Sequence, residues 1–315
     1  MPNIAIVGSG LIGRAWAITF ARAGHEVRVY DQAQGQAEKA IGFAHAMAKP
    51  LEQEGLLEGQ TADQVIARLK PAKNLEEAVD GVVHVQENTP EDVEIKKKVF
   101  SELDAVAAPE TVLSSSTSAI LPSFFTEHLK GRGRCVVMHP INPPYLIPAA
   151  EIVPAPWTTP ETVEKTRKLA IASGQAPIVM KRELDGFVMN RMQGALLEEA
   201  WRLVADGYAS IEDVDVGIRD GLALRWSFMG PFETMDLNAP GGIKDYAQRY
   251  QQIYERLFSS MQRRVDWSGE VMKTVEKDRR KLVPEKDLQK RQEWRDRRLM
   301  ALLAQKRRAA KEIGN

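Results

Sequence analysis

The 315-residue sequence has one cysteine, five histidines and no formal net charge. A lone cysteine closes no intrachain disulfide and builds no cysteine-based metal centre. Cys135 stands in the run Arg134-Cys135-Val136-Val137-Met138 and reads as a small buried core residue rather than a nucleophile. With 43 basic against 43 acidic residues, nothing offers nucleic acid or an anionic membrane a basic field. No apolar run approaches the roughly 18 residues that suggest a membrane-spanning helix. The first residues lack the basic and apolar regions of a signal peptide, so a cytoplasmic protein is expected. Apolar residues at 43% and charged residues at 27% are typical of globular proteins. The length suits two domains. No internal repeat, low-complexity segment or metal-ligand cluster is evident.

What is present begins at once. Ile4 to Val7 is a short apolar strand running into Gly8-Ser9-Gly10-Leu11-Ile12-Gly13, then a helical pattern to about Gly24 and a second strand, Glu26 to Tyr30, ending on Asp31. Gly8 suits the tight strand-to-helix turn, Gly10 lets backbone approach a pyrophosphate, and Gly13 suits close helix packing. The helix start, with Leu11 and Ile12, offers N–H groups and partial positive charge to phosphates. Asp31 lies 18 residues beyond Gly13, where a carboxylate would accept hydrogen bonds from an adenosine ribose. Such a carboxylate would repel a 2′-phosphate, which favours NAD over NADP. FAD shares the fingerprint and stays open at this level.

Strand-like and helix-like segments then alternate, the sign of a parallel sheet. Gln36 to Leu57 is helical, with Pro50 expected to break or kink it. Gly81 to Glu87 reads as a strand and Pro90 to Leu103 as a helix begun by proline. Thr111 to Ser114, Cys135 to His139 and Pro177 to Met180 are further strands. From Gly186 to Gly207 the pattern is helical, with Phe187, Asn190, Gly194, Leu197 and Trp201 on one face. No convincing strand follows. The expected architecture is α/β, a Rossmann-type doubly wound, mostly parallel sheet over residues 1–183, followed by an all-helical C-terminal domain over 184–315. Its tail, Glu270 to Ile313, is dense in Lys, Arg and Glu and reads as a solvated helix laced with i,i+4 pairs. Trp294, Leu299 and Leu302 are its candidate anchors to the body or to a second subunit.

Dinucleotide folds place chemistry at the carboxyl ends of strands, and two clusters fall there. Ser114-Ser115-Ser116-Thr117-Ser118 follows one strand, and Met138-His139-Pro140-Ile141-Asn142-Pro143-Pro144 ends another. Histidine is the natural base for an alcohol proton near neutral pH, and a carboxylate can fix its tautomer. Glu151 comes 12 residues after His139, although spacing alone does not bring the two together.

The stretches VGSGLIGRAWA, EAVDGVVHVQEN, LSSSTSAILPS, HPINPPYLIPAAEIVP, DGFVMNRMQ, EAWRLV, MGPFETMDLNA and EWRD resemble the 3-hydroxyacyl-CoA dehydrogenase family. Within it they are most similar to the lambda-crystallin branch of L-gulonate 3-dehydrogenases. The resemblance covers nearly the whole chain. It implies that His139 is the base taking the 3-hydroxyl proton and that Glu151 orients it. Ser118 and Asn190 would hydrogen-bond substrate oxygen, with hydride passing from substrate C3 to nicotinamide C4. It also places Glu87 and Lys96 near the cofactor and substrate and implies pairing of two copies through the helical domain; Ser116 is a further cofactor-binding candidate, with strand-end packing of Ser114 to Ser116 as the alternative.

One departure bears on substrate. Where the acyl-CoA branch is short and apolar before M-G-P-F, this chain reads Leu222-Ala223-Leu224-Arg225-Trp226-Ser227-Phe228. Arg225 is then a bidentate partner for a free carboxylate, or else an exposed or salt-bridged surface residue. The expected reaction is NAD-dependent oxidation of a small free 3-hydroxy acid resembling L-gulonate. A 3-hydroxyacyl-CoA or carnitine dehydrogenase is the alternative on the same scaffold. A crystallin-like structural or NAD-binding protein is the non-enzymatic one.

Overall fold

The computed structural model describes residues 2–314. Two units are distinct: one holds the residues up to Met189 together with Asp296–Ala304, the other holds Asn190–Arg295 and the residues from Gln305 on. In the first unit the chain runs β1 (Asn3–Val7), α1 (Leu11–Arg22), β2 (Val27–Tyr30), α2 (Gln36–Gln53), α3 (Ala62–Ile66), β3 (Leu69–Pro71), α4 (Leu75–Val79) and β4 (Val82–Glu87). It continues through α5 (Val93–Val106), β5 (Val112–Ser115), α6 (Pro122–Thr126), β6 (Cys135–Pro140), β7 (Ala149–Pro154), α7 (Pro160–Ala172) and β8 (Ala176–Val179). The eight strands form one sheet in the order β3-β2-β1-β4-β5-β6-β7-β8. Every neighbouring pair is parallel except β6–β7. The order reverses between β1 and β4, the crevice where doubly wound sheets bind ligands.

Alternate residues of each strand face opposite sides, and both sides are covered. Ile4 and Ile6 of β1 join Trp16, Phe20, Val27 and Val29 in one core. Ala5 and Val7 join Val85, Phe100, Leu113 and Phe125 in the other. Burial on both faces is why these strands read as near-continuous apolar runs. Leu299, Met300, Leu303 and Ala304, from the C-terminal helix, pack into the first of these cores.

The second unit is helical: α8 (Met189–Ala205), which begins with the last residue of the first unit, α9 (Ile211–Val216), a π-helical stretch (Gly217–Leu222), α10 (Ala223–Trp226), α11 (Pro231–Leu237), α12 (Gly242–Ser260), α13 (Glu270–Leu282) and α14 (Leu288–Glu312). Trp201 of α8 stacks on Trp267 with ring centroids 5.6 Å apart, and Glu198 accepts from the Val265 N–H and the Trp267 indole. Of the expected tail anchors, Leu299 is packed, whereas Trp294 and Leu302 remain about half exposed. Among the described residues no helix is long and apolar enough to cross a membrane.

Several local expectations are corrected. Pro50 does not end α2, which continues to Gln53; in the last turn it forfeits a single N–H. Helix α5 starts at Val93, because Asp92 accepts the Ile95 N–H at 2.9 Å and so caps it, while Pro90 stays outside. The helical pattern from Gly186 begins in fact at Met189. Phe187 precedes it with φ +50° and is buried in the core of the first unit.

Candidate active site

The glycine loop is built by exclusion. Gly8 has φ +85°, and a Cβ there would come 2.8 Å from the Asn88 backbone. At Gly13 a Cβ would stand 1.9 Å from the Gly8 carbonyl oxygen, so Gly13 is required by the loop folding back on the helix it opens. At Gly10 a Cβ would meet nothing within 4 Å, which leaves open space at the start of α1. Leu11 is exposed there and Ile12 packs at the edge of the adjoining core. A cavity of about 400 Å³ lies alongside, lined by Gly8, Gly10, Tyr30, Asp31, Leu75 and Val99 among others. The Asp31 carboxylate accepts the Ser9 N–H at 2.8 Å, the Ser9 hydroxyl at 2.9 Å and the Ala33 N–H at 3.0 Å. An acid at the second strand's end, a loop whose Gly8 and Gly10 carry no side chain and a half-apolar wall together fit the adenosine and pyrophosphate of a dinucleotide.

His139 and Glu151 sit directly opposite one another on the antiparallel pair β6 and β7. The imidazole Nδ1 is 2.7 Å from Glu151 Oε2, and both residues are buried, at 6% and 0% exposure. The other oxygen, Glu151 Oε1, accepts the backbone N–H groups of Val188 at 2.7 Å and Met189 at 2.8 Å. The left-handed turn at Phe187 delivers those two N–H groups, and its ring lies 5.6 Å from the imidazole. A carboxylate accepting at Nδ1 selects the tautomer whose Nε2 can take a proton, and its charge stabilises the imidazolium that results. From β1 to β6 the sheet spans three strand spacings, about 14 Å, so the dyad stands well along the strand ends from the glycine loop.

The serine cluster divides by role. The Ser116 hydroxyl accepts from the Trp16 indole at 3.0 Å and Gln86 Nε2 at 2.6 Å and donates to Asn88 Oδ1 at 2.7 Å. Its three hydrogen bonds tie the end of β5 to Trp16 of α1, Gln86 of β4 and Asn88 just beyond it. Glu87 and Lys96, at 0% and 1% exposure, pair with each other: Lys96 Nζ is 3.1 Å from both Glu87 oxygens, and Ser115 Oγ donates to Glu87 at 2.5 Å. Ser118, in contrast, is exposed on the loop after β5. Asn88, which packs against Gly8 and receives the Ser116 hydrogen bond, escaped the sequence reading although it lies within the QEN stretch.

Asn190 is the first residue of the second unit and follows directly on Met189, whose N–H Glu151 accepts. Arg225, within α10, is half-buried, and among the described residues its side chain makes no ion pair or hydrogen bond; Nε is buried without a partner. It lines a cavity of about 640 Å³ with Trp226, Thr234, Tyr246, Tyr250 and Tyr254. Cys135 is buried, and burial, reinforced by Asp104, pushes its thiol up to about 12, which removes it as a nucleophile. No group of three or more metal-ligating side chains gathers among the described residues.

The family model described as "3-hydroxyacyl-CoA dehydrogenase, NAD binding domain" matches residues 3–183, and the one described as "3-hydroxyacyl-CoA dehydrogenase, C-terminal domain" matches 186–282. The chain belongs to the 3-hydroxyacyl-CoA dehydrogenase family. It is accordingly an oxidoreductase, with NAD as the cofactor of its first unit. Among relatives, lambda-crystallin of Oryctolagus cuniculus is 42% identical over 308 residues, covering 97% of this chain and 96% of that protein. An L-carnitine dehydrogenase of Pseudomonas putida is 38% identical over 252 residues, 79% of this chain and 77% of that one. Of solved structures, an NAD+-dependent 5-formyl-3-hydroxy-2-methylpyridine 4-carboxylic acid 5-dehydrogenase superposes with a TM-score of 0.82 at 28% identity, covering 98% of both chains. The family helical model ends at residue 282, so α14 lies beyond it.

Proposed function

We propose that the protein oxidises the 3-hydroxyl of a small free 3-hydroxy acid of the L-gulonate type to the 3-keto acid. The observation that carries the chemistry is the buried His139–Glu151 dyad, with Nδ1 engaged at 2.7 Å. His139 Nε2 takes the hydroxyl proton, while Glu151 holds the ring and offsets the positive charge that develops. Bound NAD supplies the hydride acceptor. Asp31 and the Gly8–Gly13 loop bind its adenosine and pyrophosphate, with Leu11 and Ile12 at the helix start; Asp31 disfavours a 2′-phosphate. Glu87, Lys96 and Ser116 act as the buried frame of that loop region. Ser118 and Asn190 hydrogen-bond the substrate oxygen.

Arg225 accounts for the free acid. A half-buried guanidinium with no anionic partner among the described residues suits a carboxylate from outside. A thioester would leave that charge unpaired. Replacing Arg225 with Met is expected to raise KM for the acid by about ten-fold or more, the worth of a charged hydrogen bond, with NAD affinity unchanged. An unchanged KM contradicts the assignment. The aromatic wall beside Arg225, formed by Trp226, Tyr250 and Tyr254, favours a second reading, carnitine, whose quaternary ammonium such rings attract and whose dehydrogenases are among the relatives.

The helical unit also supports a homodimer. Helix α12 presents Ile253, Tyr254, Leu257 and Phe258 to solvent, an apolar stripe at helical spacing that a second copy would cover. The single buried thiol suits the cytoplasm, which is the proposed compartment.

A further inference from the structure

Glu91 lies on the segment between β4 and α5, where nothing in the sequence marked it for a role. Its oxygen Oε1 collects three donors from the loop after β5: the Thr117 hydroxyl at 2.6 Å, the Ser118 N–H at 2.8 Å and the Ala119 N–H at 3.0 Å. The Thr117 hydroxyl in turn accepts the Ile120 N–H at 3.0 Å, which closes the loop on itself. The other oxygen, Oε2, stands 3.8 Å from the buried Lys96 ammonium, which is itself held by Glu87 at 3.1 Å. Two carboxylates and one cation thus hold the whole turn: Glu87 grips Ser115 at the strand end, Lys96 joins the acids, and Glu91 grips residues 117–119.

Hydrogen bonds to a charged acceptor are short and strong, and three of them fix a four-residue turn that would otherwise be a surface loop. The backbone of Ser118 is therefore set by Glu91, and the Ser118 side chain follows from that backbone. The geometry points to Glu91 as a positioning residue for the dehydrogenase reaction: its carboxylate, steadied by Lys96, holds Ser118 where its hydroxyl meets the substrate oxygen. The inference rests on the reading of Ser118 as a substrate contact. It adds a residue that touches neither substrate nor cofactor and acts through the loop. A displacement on the order of 1 Å in such a contact costs up to about a hundred-fold in rate.

The test uses the full-length protein and the variants Glu91→Ala, Glu91→Gln, Ser118→Ala and the double Glu91→Ala/Ser118→Ala. Amide hydrogen exchange at Ser118 and Ala119 needs no substrate and is expected to accelerate in Glu91→Ala. Rates of NADH formation with L-gulonate, L-3-hydroxybutyrate, L-carnitine and 3-hydroxybutyryl-CoA supply kcat/KM. It is expected to fall about ten- to a hundred-fold in Glu91→Ala, while the Kd for NAD stays within about two-fold. Glu91→Gln, which keeps an acceptor oxygen, is expected to recover most of both losses. The double variant is expected to be no slower than Ser118→Ala, because the two residues act as one unit. Unchanged exchange in Glu91→Ala, or losses that multiply in the double variant, overturn the proposal. Loss in Ser118→Ala with full activity in Glu91→Ala overturns it alone. Full activity in Ser118→Ala overturns the reading of Ser118 on which it rests.

Discussion

The two units handle apolar surface in opposite ways. In the sheet unit Ile4, Ile6, Phe20, Phe100 and Phe125 are all fully or almost fully buried, on both faces of one sheet. Among the described residues of the helical unit the only buried apolar ones are Ala239 and Val283, while Phe228 and Phe232 are 70% and 73% exposed. At about 25 cal/mol per Å² of apolar area buried, the first unit draws more stabilisation from its own buried side chains than the second does. The proposed roles divide along the same line only in part: the sheet unit carries the glycine loop, the His139–Glu151 pair and Ser118, and the helical unit carries Asn190, Arg225 and the exposed stripe of α12. An unpaired Arg225 among exposed aromatics belongs with that second group of features.

The largest expected effect removes chemistry from the rigid frame. His139→Ala is expected to lower kcat by about 10³-fold, within the span of general acid–base catalysis, leaving NAD binding intact by fluorescence titration. Glu151→Gln is expected to be smaller, about 10²-fold, since the ring loses the charge of its partner but keeps a neighbour. Equal NAD affinity with full activity in either variant breaks the division between frame and chemistry.

A second effect concerns the frame's own stability. Met300 is 3% exposed within the core of the sheet unit although it comes from α14. Met300→Ala is expected to cost about 2–5 kcal/mol, read as a drop in the denaturant midpoint. A change below about 0.5 kcal/mol, the size typical of a surface site, would place that helix outside the core. On the helical side, Phe258→Asp on the exposed stripe of α12 is expected to shift sedimentation from dimer to monomer with little loss of monomer fold. An unaltered oligomer breaks the proposed pairing.

The smallest effect is set by pH. Burial pushes the His84 imidazole down to about 4 and lowers His25 as well. Both rings are therefore held neutral in the folded state. The His84 contribution is present above the unfolded value near 6.5 and is lost as pH falls towards 4, and His25 acts in the same direction. Between pH 7 and about 4.5 the wild type is expected to lose about 1–3 kcal/mol more than His84→Asn. Parallel losses in the two proteins contradict this burial effect.

Strand-to-loop punctuation made much of the frame legible in sequence. Gly8, Gly10, Gly13 and Asp31 declared themselves because each answers a backbone or charge requirement that few other residues meet. The Cys135–His139 strand and the histidine at its end were equally visible. Three things were not. Strand β7 carries Glu151 antiparallel to β6, and only a register, not a spacing of 12 residues, puts that acid opposite His139. Phe187 looks helical by its spacing from Asn190, yet the left-handed turn that buries it is a tertiary choice. Glu91 appears as one acid among many in Pro90-Glu91-Asp92-Val93-Glu94, since its partners lie 26 to 28 residues away on another loop. Pro50 and Pro90 misled in the same sense: a proline near a helix end says less than the cap that Asp92 supplies.

The most direct test of the central claim is the initial rate of NAD reduction, followed at the absorbance of NADH, with L-gulonate, L-3-hydroxybutyrate, L-carnitine and 3-hydroxybutyryl-CoA for wild type and His139→Ala. A free hydroxy acid turned over fastest, with the variant nearly inactive, is the predicted result. Preference for the CoA ester, or a His139→Ala variant as fast as wild type, would contradict it.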